Sequence, residues 1–184
     1  MTTIYMIRNA ECEDMQDASS ELNEMGKKEL VQIQAFFENR KVDAVYLSSL
    51  PSAAKTLEFL SGREGVAVYV AEEFDERKTG PRVANLESFG KRQWAEPEYK
   101  LAGGESFLEA QDRVIDGLEK VVTNHKDEIS VVGSHSMAIG LVVQFFDETF
   151  TFEEYLRTNG LRPWIVKMEF EGMTLVCLEE IRSM

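Results

Sequence analysis

In Ile4-Tyr5-Met6-Ile7-Arg8-Asn9-Ala10-Glu11, four apolar residues run directly into an arginine and an asparagine. A short apolar run cut off by charge predicts a buried strand over Thr3 to Ile7, with polar side chains delivered at its carboxyl end. The run is too short for a signal-peptide core, and nothing around it resembles a signal peptide.

The same alternation of apolar runs and polar exits continues outward from this stretch. Leu22, Met25, Leu30, Ile33, Phe36 and Phe37 recur at roughly helical spacing, which predicts an amphipathic helix over Leu22 to Asn39. Asp43 to Leu47 reads as a strand, and a helix follows from Pro51, a residue suited to a first helical turn, to Leu60. Val66 to Val70 reads as a third strand. Ala71 to Gly104 is long, polar and aromatic, with helix expected inside it, and loops of that length often carry function. Ser106 with Glu109 at capping-box spacing predicts a helix to Asn124. A strand over Ile129 to Gly133, a buried helix over Met137 to Phe146 and a short helix over Phe152 to Arg157 follow. Trp164 to Glu171 and Thr174 to Ile181 flank Gly172 and read as a hairpin.

Strands alternating with helices predict an α/β three-layer sandwich: a mostly parallel central sheet, helices on both faces and an antiparallel C-terminal hairpin. The chain has 184 residues and no linker-like tract, so one domain over residues 1–184 is expected. Acidic residues number 33 against 20 basic ones, a net charge of −13. Such a surface argues against nucleic acid and anionic membranes as partners. Met137 to Phe146, the longest later apolar stretch, is too short to span a bilayer. Cys12 and Cys177 are far apart and lack metal-type spacing, which predicts two free thiols in a reducing cytoplasm. No metal or other cofactor is implied.

In an open parallel sheet, chemistry gathers beyond the carboxyl ends of the strands. Arg8-Asn9, Ser48-Ser49 and Ser134-His135-Ser136 each follow a predicted strand, so they are expected to meet there.

These segments also resemble the histidine phosphatase (phosphoglycerate mutase-like) superfamily. Ile4 to Glu11 is similar to its apolar strand followed by Arg-His-Gly-Glu. Val45 to Thr56 is similar to its segment of two serines, Pro-Leu, Arg-Ala and a threonine. Glu76-Arg77-Lys78-Thr79-Gly80 resembles its Glu-Arg loop. Gly104-Glu105-Ser106, with Arg113 further along, resembles its Gly-Glu-Ser helix start, and Val131 to Ser136 its Val-x-Ser-His-Gly strand end. The five segments occur in order over nearly the whole chain.

The resemblance implies a three-layer fold and a phosphate pocket. In the family a histidine takes the phosphoryl group, water releases it, and arginines and a second histidine hold the charged oxygens. Carried over by position, Arg8 is the first phosphate arginine, Glu76 the proton donor to the leaving alcohol and His135 the second histidine. Asn9 occupies the nucleophile position. A carboxamide can donate an N–H to a phosphate oxygen but cannot replace imidazole as phosphoryl acceptor. Ser52 occupies the position of the second arginine, with Thr56 as the anchor of that register; a shift of one residue puts Ala53 there and supplies no cation either. Ala10 and Ser136 replace glycines.

The residues leave competing readings. Glu76 sits beside Glu72, Glu73 and Asp75, which also reads as a solvated acidic run. His125 reads as a solvated helix-end residue, while Trp94, Tyr99 and Trp164 read as packing. Cys12 and Ser52 are weak substitutes for a nucleophile; Arg77 and Lys78 offer replacement charge that geometry must test. Three functions follow. The first is a degenerate phosphatase-like protein, weak or inactive, that binds a phosphate anion or a phosphorylated small molecule. The second is an active phosphomonoesterase without a phosphohistidine, using Glu76 or His135 to assist water. The third is a non-catalytic scaffold or dimerisation module, for which a homodimer is a candidate assembly.

Overall fold

Strand β1 (Thr2–Arg8) lies inside a six-stranded mixed sheet of a computed structural model that describes residues 1–14, 17 and 19–181. It pairs in parallel with β4 (Ile129–Ser134) on one side and antiparallel with β5 (Ile165–Glu171) on the other. Beyond β4 come β2 (Ala44–Leu47) and then β3 (Ala67–Val70), both parallel; β6 (Thr174–Ile181) closes the far side against β5. The expected parallel sheet with a C-terminal hairpin is therefore present, and Gly172 takes a φ of 60° in the turn.

Alternation along the strands divides the core into two faces. Ile4, Met6, Tyr46 and Val132 pack against α4 (Phe107–Asn124) and α5 (Ser136–Phe146), through residues such as Val114, Leu118, Ile139 and Val142. Ile7, Val45, Leu47 and Val131 face the opposite way, against Ile33 and Phe37 of α1 (Glu24–Phe37) and Leu57 and Leu60 of α2 (Pro51–Ser61). Side chains of period two on strands thus meet helices on both sides, which makes three layers. The predicted capping box is formed: Ser106 Oγ accepts from Glu109 N at 3.1 Å, and Glu109 returns a carboxylate to Ser106 N at 2.9 Å.

Two local expectations change. Met25 faces solvent, and Glu29 is buried on α1 instead. That helix is pressed onto the chain leaving β1: a Cβ on Gly26 would lie 2.1 Å from the Glu11 carbonyl oxygen, so glycine is required there. The third strand is present as β3, and its Val68, Tyr69 and Val70 are largely exposed because it forms the sheet edge. His125 is buried, not solvated. It ends α4 and holds Tyr46 Oη at 3.0 Å and Glu128 at 2.7 Å. Within residues 71–104 the expected helix is α3 (Leu86–Ala95), preceded by a 3-10 turn at Glu72–Phe74. Helix α6 (Phe152–Arg157) follows α5 and runs into a 3-10 turn at Thr158–Gly160. No described helix is long and apolar enough to cross a membrane.

Candidate functional site

Sheet register brings three strand ends together. Arg8 is paired with Ser134, and Leu47 with Gly133. Just past the strands, Asn9 N donates to Ser134 O at 2.8 Å and Ser48 N to Gly133 O at 3.0 Å. The convergence expected from the sequence is therefore realised in backbone hydrogen bonds.

Arg8 is almost wholly buried. It donates to the carbonyls of Thr158 at 3.2 Å and Leu161 at 2.5 Å, and its guanidinium lies 5.9 Å from the Trp164 ring centre. Burial, then the neighbouring Arg162, lowers its pKa to about 10, so it stays a cation at neutral pH. Arg162 is itself held by Glu11 at 2.9 Å and by buried Glu29 at 3.2 Å. Burial pushes the Glu29 carboxyl up, opposed by Arg162 and Arg8. This charged cluster behind Arg8 carried no signal in the sequence, since its members come from α1, the chain after β1 and the approach to β5.

Asn9 is buried, and its Nδ2 donates to Ala10 O at 3.2 Å. Ala10 N donates to Thr56 Oγ1 at 2.9 Å, and Thr56 Oγ1 donates to Ser52 O at 2.8 Å. Ser52 therefore sits buried one turn before Thr56 on the same helix face, tied to the chain that carries Asn9. Cys12 is no substitute nucleophile: its Sγ lies on Ala10 O at 3.5 Å, and burial raises its pKa away from the reactive thiolate.

His135 follows β4 and opens α5. Its Nε2 lies 2.7 Å from Ser48 Oγ, which already accepts from Leu50 N at 3.0 Å. The serine proton is thus available to a neutral imidazole. Burial lowers the His135 pKa, against Glu76 and Asp75 which raise it.

Glu76 belongs to a bonded structure rather than to a solvated acidic run. Ser134 Oγ donates to Phe74 O, while Ser49 donates through N and Oγ to the two oxygens of Asp75, at 2.7 Å each. These bonds hold the segment that bears Glu76 against the strand ends. Its carboxylate then accepts from Met137 N at 3.0 Å, Ala138 N at 3.1 Å and Arg77 N at 2.8 Å. An anion at a helix amino end is stabilised by free N–H groups and the helix dipole.

Arg77 is buried, donating to Gln93 at 2.5 Å with its guanidinium 4.9 Å from the Phe89 ring centre; Lys78 is exposed. Arg113 clamps Glu105 at 2.7 and 2.8 Å and the carbonyls of Glu73 and Asp75, a scaffolding task. Trp94 and Trp164 pack, as expected. Among the described residues no group of three or more side chains is arranged to hold a metal.

Tyr155 was not singled out by the sequence. Burial first, then Glu76, pushes its phenol up to about 12, opposed by the Ser136 side chain, Arg77 and Arg8. The only hint in the chain was Ser136 where the family pattern has glycine.

Arginine, serine and histidine side chains thus gather at the carboxyl ends of a sheet covered by helices on both faces, an α/β architecture. Residues 4–177 match the histidine phosphatase superfamily (branch 1), and the chain belongs to that family. Similar solved structures include Bacillus stearothermophilus YhfR, at 19% identity and TM-score 0.76, covering 95% of this chain and 94% of that one. Mycobacterial glucosyl-3-phosphoglycerate phosphatase Rv2419c with inorganic phosphate aligns at 17% identity and TM-score 0.72, over 97% and 95%. A phosphoserine phosphatase mutant from Entamoeba histolytica in complex with phosphoserine aligns at 17% and 0.75, over 97% and 96%. No curated protein matches.

Proposed function

We propose that this chain binds phosphate or a phosphorylated small molecule beyond β1, β2 and β4 and does not turn it over through a phosphohistidine. The observation that carries this is Asn9, buried next to Arg8 with its amide committed to Ala10 O at the nucleophile position. Ser52 adds a second loss in the same pocket. Loss of a nucleophile costs on the order of 10⁶ in turnover in other enzymes. Loss of a charge-assisted hydrogen bond, at about 1.5–3 kcal/mol, weakens binding by roughly 10- to 10²-fold. The first loss ends covalent catalysis; the second only weakens the hold on an anion. Arg8 and the imidazole remain, and the related structures with inorganic phosphate and with phosphoserine support a ligand of this chemistry.

Water attack assisted by Glu76 or His135 has less support, because Glu76 is held by three N–H groups and His135 by Ser48. The exposed β3 edge favours the scaffold or dimer reading. Melting the protein with phosphate, sulfate or vanadate, alongside an aryl phosphate assay, separates the three. Binding predicts protection, about 2.7 kcal/mol at a hundredfold excess over Kd, with no hydrolysis above background. Hydrolysis lost on His135→Ala would establish the enzyme instead, and absence of protection the scaffold.

A further inference from the structure

Exposure divides the polar residues of this pocket. Arg8, Asn9, Ser52 and His135 are buried, whereas Glu76, Ser136 and Tyr155 are only partly buried. A ligand arriving from outside therefore meets the second group first.

Tyr155 is held firmly. One face of its ring stacks on Trp94, with centroids 5.4 Å apart and planes 27° from parallel. The ring also lies against Gly140, where a Cβ would come within 2.8 Å of Tyr155 Cδ2. Phenylalanine would satisfy that packing equally well, so packing does not account for the hydroxyl. Gly140 lies one turn past Ser136 on α5, and Thr158, whose carbonyl accepts from Arg8, donates its hydroxyl to Tyr155 O at 2.6 Å, so the phenol lies in the field of Arg8, Arg77 and Glu76 beside Ser136. Arg8 and Arg77 each keep a buried Nε without a protein acceptor.

We propose that Tyr155 contacts the ligand directly: its hydroxyl, with that of Ser136 beside it, donates to an oxygen of bound phosphate or a phosphate monoester. The pair then supplies part of the donor set that the family draws from positions 9 and 52. Burial keeps the phenol protonated across the physiological range, so it acts as a neutral donor. The assignment rests on the binding function proposed above.

Titrations of inorganic phosphate and vanadate into the natural chain, Tyr155→Phe and Ser136→Ala test it, with affinity and ligand-free melting temperature both recorded. Tyr155→Phe is expected to weaken binding about tenfold or more. Its ligand-free melting temperature stays near that of the natural chain, which a purely structural role would not combine with lost affinity. Ser136→Ala is expected to weaken binding less, and it carries the test if Tyr155→Phe folds poorly. Unchanged affinity in Tyr155→Phe, with binding by the natural chain intact, overturns the Tyr155 assignment alone. No binding by the natural chain overturns the binding function and this assignment with it.

Discussion

His125 and His135 stand at opposite ends of strand β4, and locally they look alike. Both are buried, and each reaches a hydroxyl on or just past β2: Tyr46 Oη at 3.0 Å for His125, Ser48 Oγ at 2.7 Å for His135. His125 even has the fuller chain, since Glu128 lies 2.7 Å from its other ring nitrogen. By side-chain geometry alone, the carboxylate–imidazole–hydroxyl set at His125 resembles a proton relay more than His135 does. The end of the sheet separates them. His135 opens a helix beside Glu76 and the strand that delivers Arg8, while His125 ends a helix at the amino side of β4. A buried, bonded histidine is thus ordinary structure until a substrate-binding constellation surrounds it.

The largest effect that would break this contrast comes from restoring the pocket. Asn9→His with Ser52→Arg is expected to raise aryl phosphate hydrolysis by at least about 10³-fold, a conservative share of what a nucleophile is worth elsewhere. In that background His135→Ala should abolish the activity, and His125→Ala should leave kcat intact. Loss of activity in a folded His125→Ala variant would erase the distinction between the two ends.

Stability sharpens the contrast from the other side. His125→Ala removes two ring hydrogen bonds and leaves the Tyr46 hydroxyl without its imidazole partner, at a cost of about 2–4 kcal/mol by urea unfolding. His135→Ala should cost less, about 1–2 kcal/mol, because Ser48 keeps its bond from Leu50 N. Equal losses would mean that His135 is as structural as His125.

The smallest expected effect is a pH slope. Burial depresses the His135 pKa, so the unfolded chain takes up a proton on this residue at higher pH than the folded one does. Its contribution is complete above the unfolded value, about 6.5, and is lost as pH falls from there toward the lower folded pKa. Between pH 7 and 5.5 the natural chain should therefore lose more stability than His135→Gln. A slope identical in both chains would show that the buried ring is not the titrating group.

Residues 4–11 show how much of this was legible in the chain. A run of apolar residues is a local signal, and it located β1 and the position of Arg8 at its end. The capping box at Ser106, the hairpin around Gly172 and the helix beginning at Pro51 were legible for the same reason: each depends on residues a few positions apart. The identities of Asn9 and Ser52 are likewise written in the chain, and the restored double variant is what tests the roles proposed for those positions. His125 misled because its partners, Tyr46 and the strand bearing it, are distant in sequence.

Sequence by itself determined the order of elements, the layered α/β class and the absence of imidazole at position 9. Tertiary structure alone decided that Glu76 caps α5, that Arg8 rests against Thr158 and Leu161, and that Tyr155 packs between Trp94 and Gly140. The reason is physical. Periodicity and turn chemistry act through near neighbours along the chain, whereas burial, ion pairing and donor geometry depend on which distant segments the sheet register brings together.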